Sequence, residues 1–109
     1  MNKNETAILL IEFQNDFTTE GGIFHAAVKE VMDKTNMLAN TINLVEKARI
    51  EGVQVIYIPI SFAENYNEIT NTPYGILKGI VDNQAFKKTT WGVEIVDALT
   101  PQTGEVVIE

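Results

Sequence analysis

The chain has no cysteine, one tryptophan, one histidine and only three prolines among its 109 residues. Without cysteine it can form no disulfide, no cysteine-ligated zinc site and no thiol nucleophile of its own. Basic residues are also scarce, with 8 Lys and Arg against 15 Asp and Glu, so the net charge is −7. Because an acidic surface repels phosphate groups, we expect neither nucleic acid nor an anionic membrane as a partner.

Long apolar runs are missing as well, since no stretch approaches the run of about 20 residues that spans a bilayer. The first residues, Met1–Glu5, are polar, and the apolar core of a signal peptide does not follow them. We therefore expect a cytoplasmic protein. What remains is an average composition, 45% hydrophobic and 21% charged, in a length suited to one small domain.

Short apolar runs predict the strands of a parallel sheet, at residues 7–11, 53–58 and 105–108. Almost every position in these runs is apolar, without the alternation of apolar and polar residues that marks a strand with one exposed face. Such runs are typical of strands buried on both faces. Between the first two strands, apolar residues recur every three or four positions and predict one helix over residues 26–50. The face of this helix consists of Val28, Val31, Thr35, Leu38, Ile42 and Val45.

Strand, helix, strand is the βαβ unit of α/β proteins, in which the two strands run parallel. We expect two further short helices, at residues 74–81 and 91–99. The polar segment 61–73 has no periodicity and predicts a long loop, which in compact domains often serves binding. In open α/β sheets, the chemistry lies just beyond the carboxyl ends of the strands.

Glu12 is the first polar residue after the first strand, where a parallel sheet opens into a crevice. A carboxylate there is either a general acid or base or a solvated loop acid. Asp16 lies four residues further on and either pairs with a base or caps the turn by accepting backbone N–H bonds. Phe17 is a core residue or a pocket wall, and Gln14 is a turn residue unless it orients Glu12.

His25 is the one histidine, and neither it nor the loop at 61–73 offers enough neighbouring ligands for a metal. We therefore expect a structural or capping role for His25, and no metal or other cofactor. The segment 87–91, Lys-Lys-Thr-Thr-Trp, is either a solvated turn with Trp91 in the core or a site for a phosphate or carboxylate. No glycine-rich phosphate loop accompanies it, so the sequence does not favour nucleotide binding.

Two motifs resemble those of the isochorismatase-like hydrolases. The run 8–17, Ile-Leu-Leu-Ile-Glu-Phe-Gln-Asn-Asp-Phe, is similar to that family's opening motif, in which two apolar residues precede D-x-Q-N-D-F. The run 88–95 resembles its G-T-x-G-A-E-I stretch. The resemblance implies a three-layer α/β/α, Rossmann-like parallel sheet of six strands, of which residues 1–109 would be a single, incomplete N-terminal domain.

The resemblance also implies an active site made of an acid, a lysine just after the third strand and a later cysteine. Glu12 matches the acid, although the usual family residue is Asp, and the other two positions would lie beyond Glu109. The expected activity is hydrolysis of an amide C–N bond or a vinyl ether in a small molecule, with this chain alone inactive. The expected substrate pocket includes Gln14, Asp16, Phe17 and Trp91.

The alternative is a non-catalytic binding or regulatory α/β module, similar to a receiver domain. A receiver needs a phosphorylatable Asp at the end of its central strand, and here the second and third strands end in Ile60-Ser61 and Glu109. The sheet order that the resemblance implies would leave one edge of residues 7–11 unpaired. We therefore expect that residues 1–109 do not persist as a free monomer, and that a second copy or the remaining part of the domain covers this edge.

Overall fold

The computed structural model describes residues 2–109 and contains a three-stranded sheet in the order β1-β2-β3. Both strand pairings are parallel, so the expected topology is confirmed, with β2 and β3 slightly shorter than the sequence predicts. The strands are β1 (Ala7–Ile11), β2 (Gln54–Ile58) and β3 (Val106–Val107).

The helices are α1 (Asn15–Thr18), α2 (His25–Thr35), α3 (Met37–Glu51) and α4 (Gly75–Asn83). The single helix expected over residues 26–50 is wrong, because Asn36 has a left-handed φ of 52° and separates α2 from α3. The side chain of Asn40 donates a hydrogen bond across this break to the carbonyl of Thr35, at 3.1 Å. Helix α2 buries no residue, whereas α3 buries Val45 and Ala48. No helix within residues 2–109 is long and apolar enough to cross a membrane.

The helix expected over residues 91–99 is also wrong, because this segment forms two short 3₁₀ turns, Trp91–Val93 and Asp97–Leu99. Carbonyl groups of this segment accept hydrogen bonds from distant side chains instead of from the amides of a continuous helix. The carbonyl of Trp91 accepts a hydrogen bond from the side chain of Asn15, and that of Val93 accepts one from Gln14. A tertiary contact therefore overrides the local pattern. The helix expected at 74–81 is present as α4, and segment 61–73 is irregular.

Helix α3 covers one face of the sheet, where Leu10, Val55 and Tyr57 are at most 3% exposed. On the opposite face, Leu9 and Ile11 are 52% and 55% exposed. The expectation that β1 and the third strand are buried on both faces is therefore wrong, because the helices of residues 2–109 leave this face open. We call the buried group the sheet–helix core; it comprises Leu10, Val45, Ala48, Val53, Val55, Tyr57, Val96 and Leu99.

A second apolar group forms where the chain leaves the carboxyl ends of the strands. Phe17 packs against it, with its ring centroid 4.9 Å from that of Phe86. Its members come mainly from α4 and from irregular segments on either side of that helix. We call it the strand-end cluster; its buried residues are Phe62, Tyr66, Ile80, Ala85 and Phe86.

An ion pair joins the end of α3 to the segment before β3. Arg49 donates two hydrogen bonds to the carboxylate of Glu105, from Nε at 2.9 Å and from Nη2 at 2.7 Å. The same guanidinium donates to the hydroxyl of Tyr57 on β2, at 3.1 Å. The hydrogen bonding from Arg49 holds the pKa of Glu105 below its ordinary value. The pair therefore ties three elements together at the edge of the sheet–helix core.

Candidate active site

Glu12 directly follows β1, at the carboxyl end of the sheet. Its backbone is left-handed, with φ of 62°, and its amide donates to the carbonyl of Ile58 at 3.1 Å. The half-buried side chain lines a cavity of about 300 Å³ together with Phe17 and Met32. The ion pairs of residues 2–109 do not include this carboxylate, which is therefore available to a ligand.

Gln14 is completely buried and joins two segments that are distant in sequence. Its Nε2 donates to the carbonyl of Ile60 at 2.6 Å and to that of Val93 at 2.7 Å. Its Oε1 accepts a hydrogen bond from the amide of Ile60 at 2.9 Å. This side chain therefore fixes the segment after β2 against the segment before β3, and all its polar groups bind backbone.

Asp16 is 3% exposed, and backbone amides satisfy its carboxylate. Oδ1 accepts from the amide of Ile23 at 3.1 Å, and Oδ2 accepts from that of Phe86 at 2.8 Å. Burial, and after it the charge of Asp16, raises the pKa of the Tyr66 phenol. A Cβ atom on Gly92 would lie 2.2 Å from Oδ1, so only glycine fits beside this carboxylate. Asp16 thus organises the strand-end cluster.

The other two residues of the expected pocket, Phe17 and Trp91, differ in their surroundings. Phe17 packs in the strand-end cluster and also lines the cavity that contains Glu12. Trp91 is 48% exposed, so the interpretation that it fills the core is wrong. Its carbonyl accepts a hydrogen bond from Nδ2 of Asn15 at 2.9 Å. That Gln14, Asp16, Phe17 and Trp91 contact substrate stays a prediction.

His25 begins α2, and its Nδ1 lies 2.8 Å from the carbonyl oxygen of Phe17, a contact that orders the turn before the helix. This contact fits the structural role expected for His25. Among residues 2–109, no three His, Asp or Glu side chains come together in a way that could hold a metal ion. The absence of a metal or other cofactor stays a prediction.

A second cavity, of about 310 Å³, lies beyond the carboxyl ends of β2 and β3. We call it the β2–β3 cavity. Sequence reasoning did not place Ser61 or Glu94 in a site, because no periodic pattern signals the approach of segments that Gln14 brings together. The lining of the β2–β3 cavity includes Ile60, Ser61, Lys88, Thr89, Val93 and Glu94.

A parallel sheet with a polar site at the carboxyl ends of its strands defines an α/β protein of the Rossmann-like class. Comparison with protein-family models matches residues 6–109 to the isochorismatase domain. The chain therefore belongs to the isochorismatase family, and the resemblance of its two motifs is confirmed. The receiver-like alternative is not favoured.

The chain is similar to two curated proteins named ureidoacrylate amidohydrolase RutB. It is 30% identical to the protein of Agrobacterium fabrum over 119 aligned positions, which cover 99% of this chain and 52% of that protein. It is also 30% identical to the protein of Rhizobium rhizogenes over 119 positions, covering 99% of this chain and 48% of that protein. The chain thus spans about half the length of these curated relatives.

Solved structures agree on the fold. An isochorismatase family protein from Desulfovibrio vulgaris superposes with a TM-score of 0.69 at 26% identity, over 94% of this chain and 50% of that one. A cysteine hydrolase from Pseudomonas syringae pv. phaseolicola superposes with a TM-score of 0.61 at 21% identity, over 98% of this chain and 46% of that one. The expected α/β, Rossmann-like fold class is confirmed by these neighbours.

Proposed function

We propose that the natural gene product containing this chain hydrolyses a C–N bond of an amide or urea in a small molecule, with Glu12 as its acid–base residue. The observation that carries this proposal is the place of Glu12, a carboxylate without an ion-pair partner in residues 2–109, at the carboxyl end of β1. The names of the relatives, ureidoacrylate amidohydrolases, support a C–N bond as the target.

The role of Glu12 follows from its chemistry. An ionised carboxylate takes a proton from an attacking nucleophile, and the resulting acid returns it to the leaving nitrogen. The chain contains no cysteine, so the thiol that the family resemblance implies would come from residues outside these 109. Hydrolysis of a vinyl ether, with Glu12 as proton donor, is the alternative reaction; turnover of a vinyl ether such as isochorismate, without turnover of ureidoacrylate, would indicate it.

Substitution of Glu12 tests the proposal. We expect Glu12→Gln in the natural gene product to lower turnover of ureidoacrylate or a related amide by about 10²–10⁴-fold, the usual contribution of general acid–base catalysis. The measurement is kcat together with the thermal midpoint, which we expect to be unchanged. Glu46→Gln, on the exposed surface of α3, is the matched control and should keep full activity. Near-normal turnover by Glu12→Gln would refute the role of this carboxylate.

We also propose that the protein acts in the cytoplasm on a small-molecule substrate.

We further propose that a second copy or the remaining part of the domain covers β1. Within residues 2–109, β1 pairs only with β2, and Leu9 and Ile11 are more than half exposed. Residues 1–109 expressed alone should therefore self-associate or aggregate, which their mass in solution would reveal. A soluble monomer with a cooperative melting transition would contradict this expectation.

A further inference from the structure

We propose that Gln14 is a positioning residue, which holds the carboxylate of Glu12 in the place where it transfers a proton. This role rests on the proposed hydrolase function and adds a second residue of the opening motif to it. Gln14 acts on Glu12 through the backbone. Three segments carry the effect: the turn after β1, the end of β2 and the segment before β3.

The backbone of Glu12 needs support from its surroundings. Its φ of 62° lies in the left-handed region, which is uncommon for a residue other than glycine. Such a conformation persists only where the surrounding structure fixes it, and it is typical of functional sites. Relaxation to a negative φ would redirect the Cα–Cβ bond of Glu12. The carboxylate would then leave its present place at the carboxyl end of β1.

Two backbone hydrogen bonds hold Glu12 in this conformation. Its amide donates to the carbonyl of Ile58, the last residue of β2, at 3.1 Å. Its carbonyl accepts a hydrogen bond from the amide of Gln14 at 2.8 Å. Glu12 is therefore held between β2 and Gln14. Its place is only as well fixed as the place of Gln14 relative to β2.

The side chain of Gln14 fixes that relation. Nε2 donates to the carbonyl of Ile60 at 2.6 Å, and Oε1 accepts from the amide of the same residue at 2.9 Å. Ile60 lies two residues beyond Ile58, so Gln14 binds the stretch of chain that also binds the amide of Glu12. Nε2 donates its other hydrogen to the carbonyl of Val93 at 2.7 Å.

The backbone on both sides of Gln14 is also fixed. The carbonyl of Phe13 accepts a hydrogen bond from the amide of Val96 at 2.9 Å, and the amide of Asn15 donates to the carbonyl of Glu94 at 2.9 Å. Gln14 thus lies between two bonds to the segment before β3, while its side chain binds the segment after β2. Movement of Gln14 would disturb both segments.

Glutamine alone fits these partners. Its amide offers two N–H donors and an acceptor oxygen, which match two carbonyls and one amide. Glutamate has the same shape, but its ionised carboxylate only accepts and would face two carbonyl oxygens. Asparagine is one methylene shorter. Since the side chain is completely buried and its donors and its oxygen are engaged, its role is to hold the protein chain.

The test compares Gln14→Glu and Gln14→Met with the parent in the natural gene product. Methionine removes the side-chain hydrogen bonds without adding charge, so an effect common to both variants does not come from charge. We expect kcat for ureidoacrylate to fall by about 10²-fold in each, the cost of misplacing a reacting group by about 1 Å, while KM changes by less than about 3-fold. If Gln14→Met does not fold, Gln14→Glu decides alone, because it keeps the size and the acceptor oxygen.

Asn15→Asp is the matched control, an amide replaced by an acid at the neighbouring position. Asn15 is 3% exposed, and its side chain donates to the carbonyl of Trp91 and accepts from the hydroxyl of Thr19. Neither bond reaches Glu12 or β2. We expect Asn15→Asp to lower the thermal midpoint, as Gln14→Glu does, but to keep kcat when activity is measured below the midpoints of both variants.

A double-mutant cycle separates positioning of Glu12 from a general effect on the fold. In the Glu12→Gln background, Gln14→Glu should change kcat by less than about 3-fold, because the carboxylate that it positions is already gone. An equal loss of kcat in both backgrounds, or parent-like kcat in Gln14→Glu, would overturn the role of Gln14 and leave that of Glu12 intact. Near-normal turnover by Glu12→Gln alone would instead refute the proposed acid–base function, and with it any positioning role.

Discussion

The sheet–helix core and the strand-end cluster are held together by different interactions. In the core, apolar side chains from regular elements meet directly, such as Leu10 on β1, Val45 on α3 and Val55 on β2. In the cluster, aromatic residues from irregular segments are ordered by buried polar groups, above all the carboxylate of Asp16. Replacing a buried polar residue of the opening motif by an apolar one should therefore disorder the strand-end cluster and leave the sheet–helix core intact.

Gly92→Ala should have the largest effect, because it places a methyl group where the Asp16 carboxylate now lies. The new Cβ would be 2.2 Å from Oδ1 and 2.4 Å from Cγ. Displacing this carboxylate also leaves the amides of Ile23 and Phe86 without acceptors. We expect the free energy of unfolding, measured by urea titration, to fall by about 3 kcal/mol or more.

Gly79→Ala is the control for this substitution within the same region. Gly79 lies inside α4, and its added Cβ would make an ordinary contact, 3.8 Å from the ring of Phe24. We expect it to be neutral or to stabilise the protein by up to about 1 kcal/mol, since alanine favours helix. If Gly92→Ala costs no more than Gly79→Ala, the strand-end cluster does not depend on Asp16.

Arg49→Met should have a smaller effect, at the edge of the sheet–helix core. Loss of the hydrogen bonds to Glu105 should cost about 1.5–3 kcal/mol at neutral pH. Because the folded pKa of Glu105 lies below its ordinary value of 4.5, this stabilisation is present above pH 4.5 and is lost as the pH falls through the folded pKa. Urea titrations from pH 7 to pH 3 should show the parent and variant converging. A constant difference would contradict the pairing.

Much of the sheet could be predicted from the sequence because its signals are local. The unbroken apolar run at Ala7–Ile11 predicts a strand, and it also places Glu12 at the strand's carboxyl end. The open face of the sheet could not be predicted, since an apolar strand appears the same whether or not another element covers it. The break at Asn36 has only one signal, the polar Thr35 within an apolar stripe.

The site was harder to predict because its contacts are remote in sequence. Gln14 binds the carbonyl of Val93, 79 residues away, and Asp16 binds the amide of Phe86, 70 residues away. Such hydrogen bonds leave no periodic trace, and they replaced the helix that local spacing indicated over 91–99. The opening motif could be assigned to a family, but the segments that it joins appear only in the structure.

Hydrogen exchange at the amides of Ile23 and Phe86 tests most directly whether Asp16 holds the strand-end cluster. In the parent protein we expect both amides to be protected. In Asp16→Ala both should exchange about 10–100-fold faster, whereas the amide of Val53, which binds the carbonyl of Ala48 in the sheet–helix core, keeps its protection. Unchanged exchange at Ile23 and Phe86, or equal acceleration at Val53, would contradict a cluster organised by this carboxylate.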